Sequence, residues 1–99
     1  MIKISTKVNQ KMLENFDSEQ FPDICILTTN GQIHLIKAYL AIDSMFFDRL
    51  SHEQTEVDLE YLPEGSLIRV LRSLYGDELV AYSVSELIEL FMIIEQLEI

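Results

Sequence analysis

The alternation of hydrophobic and polar residues predicts a short strand and an amphipathic helix at the N-terminus. Ile2 and Ile4 alternate with polar residues, which is the two-residue period of a strand with one apolar face. The next apolar residues fall at helical spacing and predict a helix over about residues 7–16 that presents a single apolar stripe. This stripe consists of Val8, Met12, Leu13 and Phe16.

The strongest local signal in the chain is a β-hairpin. Two apolar segments of strand-like composition, residues 24–29 and 32–36, are separated by the dipeptide Asn30-Gly31. This dipeptide favours a tight turn between antiparallel strands. Residues 37–42, which are rich in Ala and Leu, then predict one or two turns of helix.

The segments that follow predict a second short helix, a loop and a brief strand. Asp43 or Ser44 is a candidate N-cap for the short helix. Residues 51–56 are polar and predict a loop, and residues 57–59 alternate as a short strand does.

Two longer helices are expected in the C-terminal part of the chain. Pro63 suits the first turn of one helix and Gly76 its end, with a buried stripe formed by Leu67, Val70, Leu71 and Leu74. Ser83 and Glu86 form a possible capping box for the last helix, which is apolar on more than one side. The order of elements predicts a compact α+β domain in which helices cover a small sheet.

Composition limits the possible functions. The chain has 99 residues, 48% of them hydrophobic, which suits one folded domain. Its net charge is −10, and the excess of acids lies in residues 21–99, so we expect no direct binding to nucleic acid, whose phosphates attract Lys and Arg. No apolar block is long enough for a signal peptide or a membrane span. We therefore expect no membrane partner and a location in the cytoplasm or nucleus.

The chain contains few of the patterns that carry catalysis. His34 and His52 lack partners at a metal-ligand spacing. Cys25 lies in an apolar strand, where a small buried thiol is the ordinary finding. The three glycines are isolated, so no phosphate-binding loop is indicated. We predict no metal, no cofactor and no enzyme activity.

Several segments, in their order and distances, resemble the BTB/POZ domain family. Residues 23–27, DICIL, are similar to the family's D-V-x-x-V-V strand, and residues 36–47, IKAYLAIDSMFF, to its H-K-x-x-L-A-x-x-S-x-x-F motif, with Ile36 in place of the histidine. Residues 67–75 and 87–97 resemble the helices that follow. The resemblance covers nearly the whole chain. It implies an α+β fold with a small mixed sheet and five or six helices, and a function in binding other proteins.

The first twenty residues resemble the strand-helix extension of the zinc-finger class of BTB proteins, in which the first strand pairs with the other subunit. This implies a single domain, residues 1–99, made of a dimerisation segment, 1–20, and a core, 21–99. An apolar stripe and a lone edge strand both need burial, which also favours a homodimer. The predicted interface residues are Ile2, Ile4, Val8, Met12, Leu13, Phe16, Lys37 and Leu40.

The resemblance leaves two functions open. One is the recruitment of a corepressor peptide by a transcriptional regulator, and the other is substrate adaptation for a cullin-RING ubiquitin ligase. Asp23 and Lys37 match a charged pocket near the family's dimer interface, and a plain buried ion pair is the alternative. Leu50, His52 and Glu53 form a possible partner loop, which is shorter than the common cullin-binding form.

Outside the family, the chain could be a small acidic monomer of unrelated activity. The residues expected to be exposed for binding are Tyr39, Tyr61, Tyr82, Met45 and Met92.

Overall fold

The computed structural model describes residues 2–5, 8–18 and 20–99, which contain five strands and five helices. In chain order these are β1 (Ile2–Ser5), α1 (Gln10–Leu13), β2 (Ile24–Thr28), β3 (Gly31–Leu35), α2 (Lys37–Ala41), α3 (Met45–Asp48), β4 (Glu56–Asp58), α4 (Glu64–Leu74), β5 (Leu79–Ala81) and α5 (Val84–Gln96). The predicted α+β class is confirmed.

The strands form two small sheets. β2 lies between β3, to which it is antiparallel, and β4, to which it is parallel, so this sheet is mixed as predicted. β1 pairs with β5 in a separate antiparallel sheet, with Ile2 opposite Ala81. The strand β5 was absent from the prediction, because its residues Leu79, Val80 and Ala81 are all apolar and show no two-residue alternation.

The hairpin is present, but its turn lies one residue earlier than predicted. Thr28 pairs with Gly31, so Thr29 and Asn30 form the turn and Gly31 begins β3. The Glu64 carboxylate accepts hydrogen bonds from the Thr28 hydroxyl (2.5 Å) and from the Asn30 amide side chain (2.7 Å). These bonds lower the pKa of Glu64. They attach the turn to the first residue of α4. The turn preferences of the local sequence do not predict this contact.

The core lies between the mixed sheet and the long helices. The predicted stripe of α4 is confirmed, since Leu67, Val70, Leu71 and Leu74 are all buried. Leu90 and Ile93 of α5 are also buried, whereas Val84, Ile88, Phe91 and Met92 face solvent. α5 is therefore apolar on its core side and on its solvent side.

Side-chain caps begin two of the helices as the sequence predicts. The Ser44 hydroxyl accepts a hydrogen bond from the amide of Phe47 at the start of α3. The Ser83 hydroxyl accepts one from the amide of Glu86 at the start of α5, at 3.1 Å. The Glu86 carboxylate bonds to Arg69 of α4, so it joins the two long helices and does not complete the capping box.

The N-terminal helix is shorter than predicted. α1 contains only four residues, and turns follow it through Asp17; residue 7 lies outside the described residues. Asn9 is its N-cap, and the Asn9 amide donates to the carbonyl of Gly76 at 2.7 Å. After the helix, the Phe16 ring packs edge-on against Tyr75, with 5.3 Å between ring centroids. Contacts with the C-terminal end of α4 therefore limit this helix at both of its ends.

Candidate functional site

The N-terminal arm, defined here as residues 2–5 and 8–18, folds onto its own chain. β1 pairs with β5, and Lys3 forms an ion pair with Glu78 at 3.4 Å. The resemblance predicted that the first strand pairs with another subunit, but in the single chain its partner strand belongs to the same molecule. Gly76 permits the close approach of the arm, because a Cβ there would lie 2.6 Å from the Cβ of Asn9.

The predicted apolar stripe of the arm is divided between two sides. Leu13 and Phe16 pack against the core. Val8 is 46% exposed and Ile2 is 42% exposed, so they lie on the outer side of the arm. Leu40, also predicted at the interface, is completely buried in the core. It offers no surface to a partner, because the apolar side of α2 that carries it faces the core.

A groove runs beside the arm. Two cavities, of about 390 and 220 Å³, share Asp43, Ser73 and Leu74 in their walls. We call the pair the arm groove. The first cavity is otherwise lined by Ile4, Leu79, Phe91, Ile94 and Ile99, and the second by Asn9, Met12, Ile42 and Gly76. The groove is mostly apolar, and among the described residues that line it Asp43 alone has a carboxylate side chain.

Asp23 and Lys37 do not form an ion pair within the described residues. The Asp23 carboxylate accepts a hydrogen bond of 2.6 Å from the backbone amide of Lys37, at the start of α2. The Lys37 ammonium donates to the carbonyls of Ser51 and Gln54, at 3.0 and 2.8 Å. The plain ion pair weighed as the alternative is therefore wrong. Asp23 caps α2, and Lys37 holds the loop after α3.

The predicted charged pocket and partner loop share one cavity of about 250 Å³, here called the loop pocket. Its walls are formed by Asp23, Lys37, Ala38, Ala41, Phe47, Asp48, Leu50 and His52. Glu53 is exposed and is not part of the wall. Tertiary structure thus joins two separate predictions into one site that is lined by apolar and charged side chains.

Of the five residues expected to be exposed, Tyr61, Tyr82, Met45 and Met92 are exposed. Tyr39 is only partly exposed, because its ring packs edge-on against Tyr75. Sequence reasoning missed Ile42, which is 68% exposed at the end of α2, and Phe91 of the arm groove. The signal for Phe91 was available in the two-sided apolar character of α5.

The described residues show no cluster of His, Cys, Asp and Glu that could hold a metal ion. A search of their helices found none with the length and apolar character needed to cross a bilayer. Burial and the nearby acids Glu56 and Asp17 raise the pKa of the Cys25 thiol, which favours the unreactive protonated form.

The BTB/POZ domain model matches residues 12–99. This chain belongs to the BTB/POZ family. BTB domains are protein–protein interaction modules that generally mediate dimerisation and partner binding, and the family is not one of enzymes. The match to this BTB domain begins at Met12, inside α1, and runs through α5, and β1 lies outside it. None of the curated proteins compared with the chain matches it.

Proposed function

We propose that this BTB domain homodimerises through its arm and that the dimer recruits partner proteins, as in BTB transcriptional regulators of the zinc-finger class. The observation that carries the proposal is the apolar surface on the outer side of the arm and beside it. Ile2, Val8 and Ile42 are all more than two-fifths exposed in the single chain. Ile42 also lines the arm groove beside Met12 of the arm, and apolar side chains grouped in this way mark protein interfaces.

The strength of association depends on two opposing effects. Burial of apolar surface contributes about 25 cal/mol per Å² before the costs of association are subtracted. The net charge of −10 on each subunit opposes close approach, and salt screens this repulsion over roughly 8 Å at physiological ionic strength. The contact between apolar surfaces drives dimerisation. Low salt weakens the dimer, because the repulsion between the subunits is then less screened.

Exchange of β1 between subunits is the form of dimer that we propose. Pairing of β1 with the partner's β5 in the same register would keep every backbone hydrogen bond of the single chain. Exchange alone therefore adds no ladder bonds, and the favourable free energy comes from the apolar surface that the two arms cover.

Sedimentation equilibrium at micromolar concentration tests the homodimer. We expect about twice the 11.5 kDa mass of the chain. Val8→Lys should shift the mass towards the monomer, because it places a charge on the outer side of the arm. Tyr61→Lys is the matched control, since Tyr61 is also exposed but lies before α4. A wild-type chain that sediments at 11.5 kDa contradicts the proposal.

The second candidate function is a substrate adaptor for a cullin-RING ubiquitin ligase. It is favoured by the loop pocket, where Leu50 and His52 border an open cavity. Capture of a purified cullin N-terminal domain by the wild-type chain, lost on His52→Glu, would support it. Absence of capture counts against the adaptor and in favour of a corepressor-type partner.

A further inference from the structure

The cations of this acidic chain are largely occupied. Four of the lysines and arginines that the structure describes form ion pairs within the chain, namely Lys3 with Glu78, Arg49 with Glu98, Arg69 with Glu86 and Arg72 with Asp77. Lys37 is bound to loop carbonyls. Lys11 is exposed and contacts no carboxylate in the part of the chain that the structure describes. Lys11 is therefore available to a partner.

Lys11 lies on the outer side of the arm. The neighbouring Met12 lines the arm groove, and Leu13 packs onto the core. Because successive helical residues are about 100° apart, Lys11 projects from the side of α1 opposite to the core contact, as its exposure indicates.

Asp43 is the corresponding acid in the groove. It lines both cavities of the arm groove, is exposed, and has no ion-pair partner in the described ranges 2–5, 8–18 and 20–99. Ile42, its neighbour, is one of the most exposed apolar residues of the chain. The groove thus presents an apolar wall beside an unpaired carboxylate, to which a surface with an apolar residue beside a cation is complementary.

We propose that a second copy of the chain occupies the arm groove and that Lys11 of each subunit pairs with the partner's Asp43. This inference rests on the homodimer proposed above and names the contact that sets its register. The outer side of the arm has the required composition, since the exposed Val8 lies three residues before the exposed Lys11. In a two-fold interface the pair occurs twice, so each change of charge acts twice.

Charge reversal distinguishes this ion pair from the general repulsion between two acidic subunits, because the two effects change the affinity of the dimer in opposite directions. Asp43→Lys and Glu60→Lys each make the chain less acidic by the same amount. Glu60 is exposed in the turn before α4, whereas the arm groove lies at the other end of that helix. Reduced repulsion alone predicts tighter dimers for both variants. The ion pair predicts that Asp43→Lys weakens the dimer by about tenfold while Glu60→Lys does not.

The experiment is sedimentation equilibrium at low and physiological salt on the wild type, Lys11→Glu, Asp43→Lys, their double variant and Glu60→Lys. Lys11→Glu should weaken the dimer about tenfold or more, and the double variant should return to within about threefold of the wild type. A wild-type dimer in which Asp43→Lys behaves as Glu60→Lys does, or in which the double variant is the weakest of all, overturns the ion pair alone. A monomeric wild type overturns the homodimer and the pair together.

Discussion

The phenolic oxygen of Tyr75, at the C-terminal end of α4, accepts a 2.6 Å hydrogen bond from the backbone amide of Ile36, which follows β3. Tyr75 is completely buried, and the rings of Phe16 and Tyr39 pack edge-on against it. One side chain therefore connects the arm, the end of the hairpin, and the helices α2 and α4. Stability of the domain should depend on it.

Tyr75→Phe should lower the free energy of unfolding by about 1–3 kcal/mol, because it leaves the Ile36 amide without its acceptor while keeping the ring contacts. Urea denaturation measures the change. Tyr61→Phe is the control and should have an effect within about 0.5 kcal/mol, since Tyr61 is exposed. Equal effects for the two variants would show that the hydrogen bond contributes little.

The same tyrosine predicts a loss of stability at high pH. Burial raises the pKa of Tyr75 to about 12, above the value near 10 expected for an unfolded chain. The unfolded state therefore loses this proton first as pH rises. The stabilising contribution is complete below pH 10 and is lost between about pH 10 and 12.

The pH effect is measured by urea denaturation across this range for the wild type and Tyr75→Phe. Lysines titrate in the same range, so the difference between the two proteins isolates the tyrosine. The wild type should lose more stability than the variant, by up to about 1.4 kcal/mol per pH unit. Identical slopes would contradict the prediction.

Gly76→Ala should displace the arm. Gly76 has a φ of +95°, and an added Cβ would lie 2.9 Å from the backbone nitrogen of Asn9. We expect a loss of more than about 1 kcal/mol and faster hydrogen exchange of the β1 amides. Gly65→Ala is the matched control, because nothing lies within 4 Å of its added Cβ and it occupies a helical position. It should stabilise the domain by about 0.5–1 kcal/mol.

Exchange of β1 can be trapped by a disulfide. Lys3 and Val80 are opposite one another in the β1–β5 pair, so cysteines at these positions, in a Cys25→Ser background, should oxidise together. The proposed exchange predicts a covalent dimer on a denaturing gel without reductant. A covalently closed monomer would show that each arm stays on its own chain, and it would leave the contact between the arm and the partner's arm groove to be tested by sedimentation.

Asp23→Ala should destabilise α2 and the loop pocket. The Asp23 carboxylate accepts from the first amide of α2, a capping bond of a kind that contributes about 1 kcal/mol. Thermal unfolding measures the loss, and Glu60→Ala, at an exposed turn, is the control. Loss of partner binding with unchanged thermal stability would assign Asp23 to recognition and not to capping.

The local sequence was sufficient to predict the elements that depend on residues close together along the chain. The stripe of α4 repeats at helical spacing along eleven residues, and the Ser44 and Ser83 caps lie within three residues of the amides they accept from. The hairpin also follows from its two apolar segments. Such features depend on neighbours along the chain, so the amino-acid pattern alone predicted them.

Tertiary structure decided the features that need distant partners. β5 exists because β1 pairs with it, the hairpin turn is placed by Glu64, and Gly76 sets where α1 begins. Lys37 binds loop carbonyls far along the chain, so its role could not be deduced from a charge opposite Asp23. The strand β5 and these single hydrogen bonds have no signal in the local pattern, because the residues that stabilise them lie many positions away along the chain.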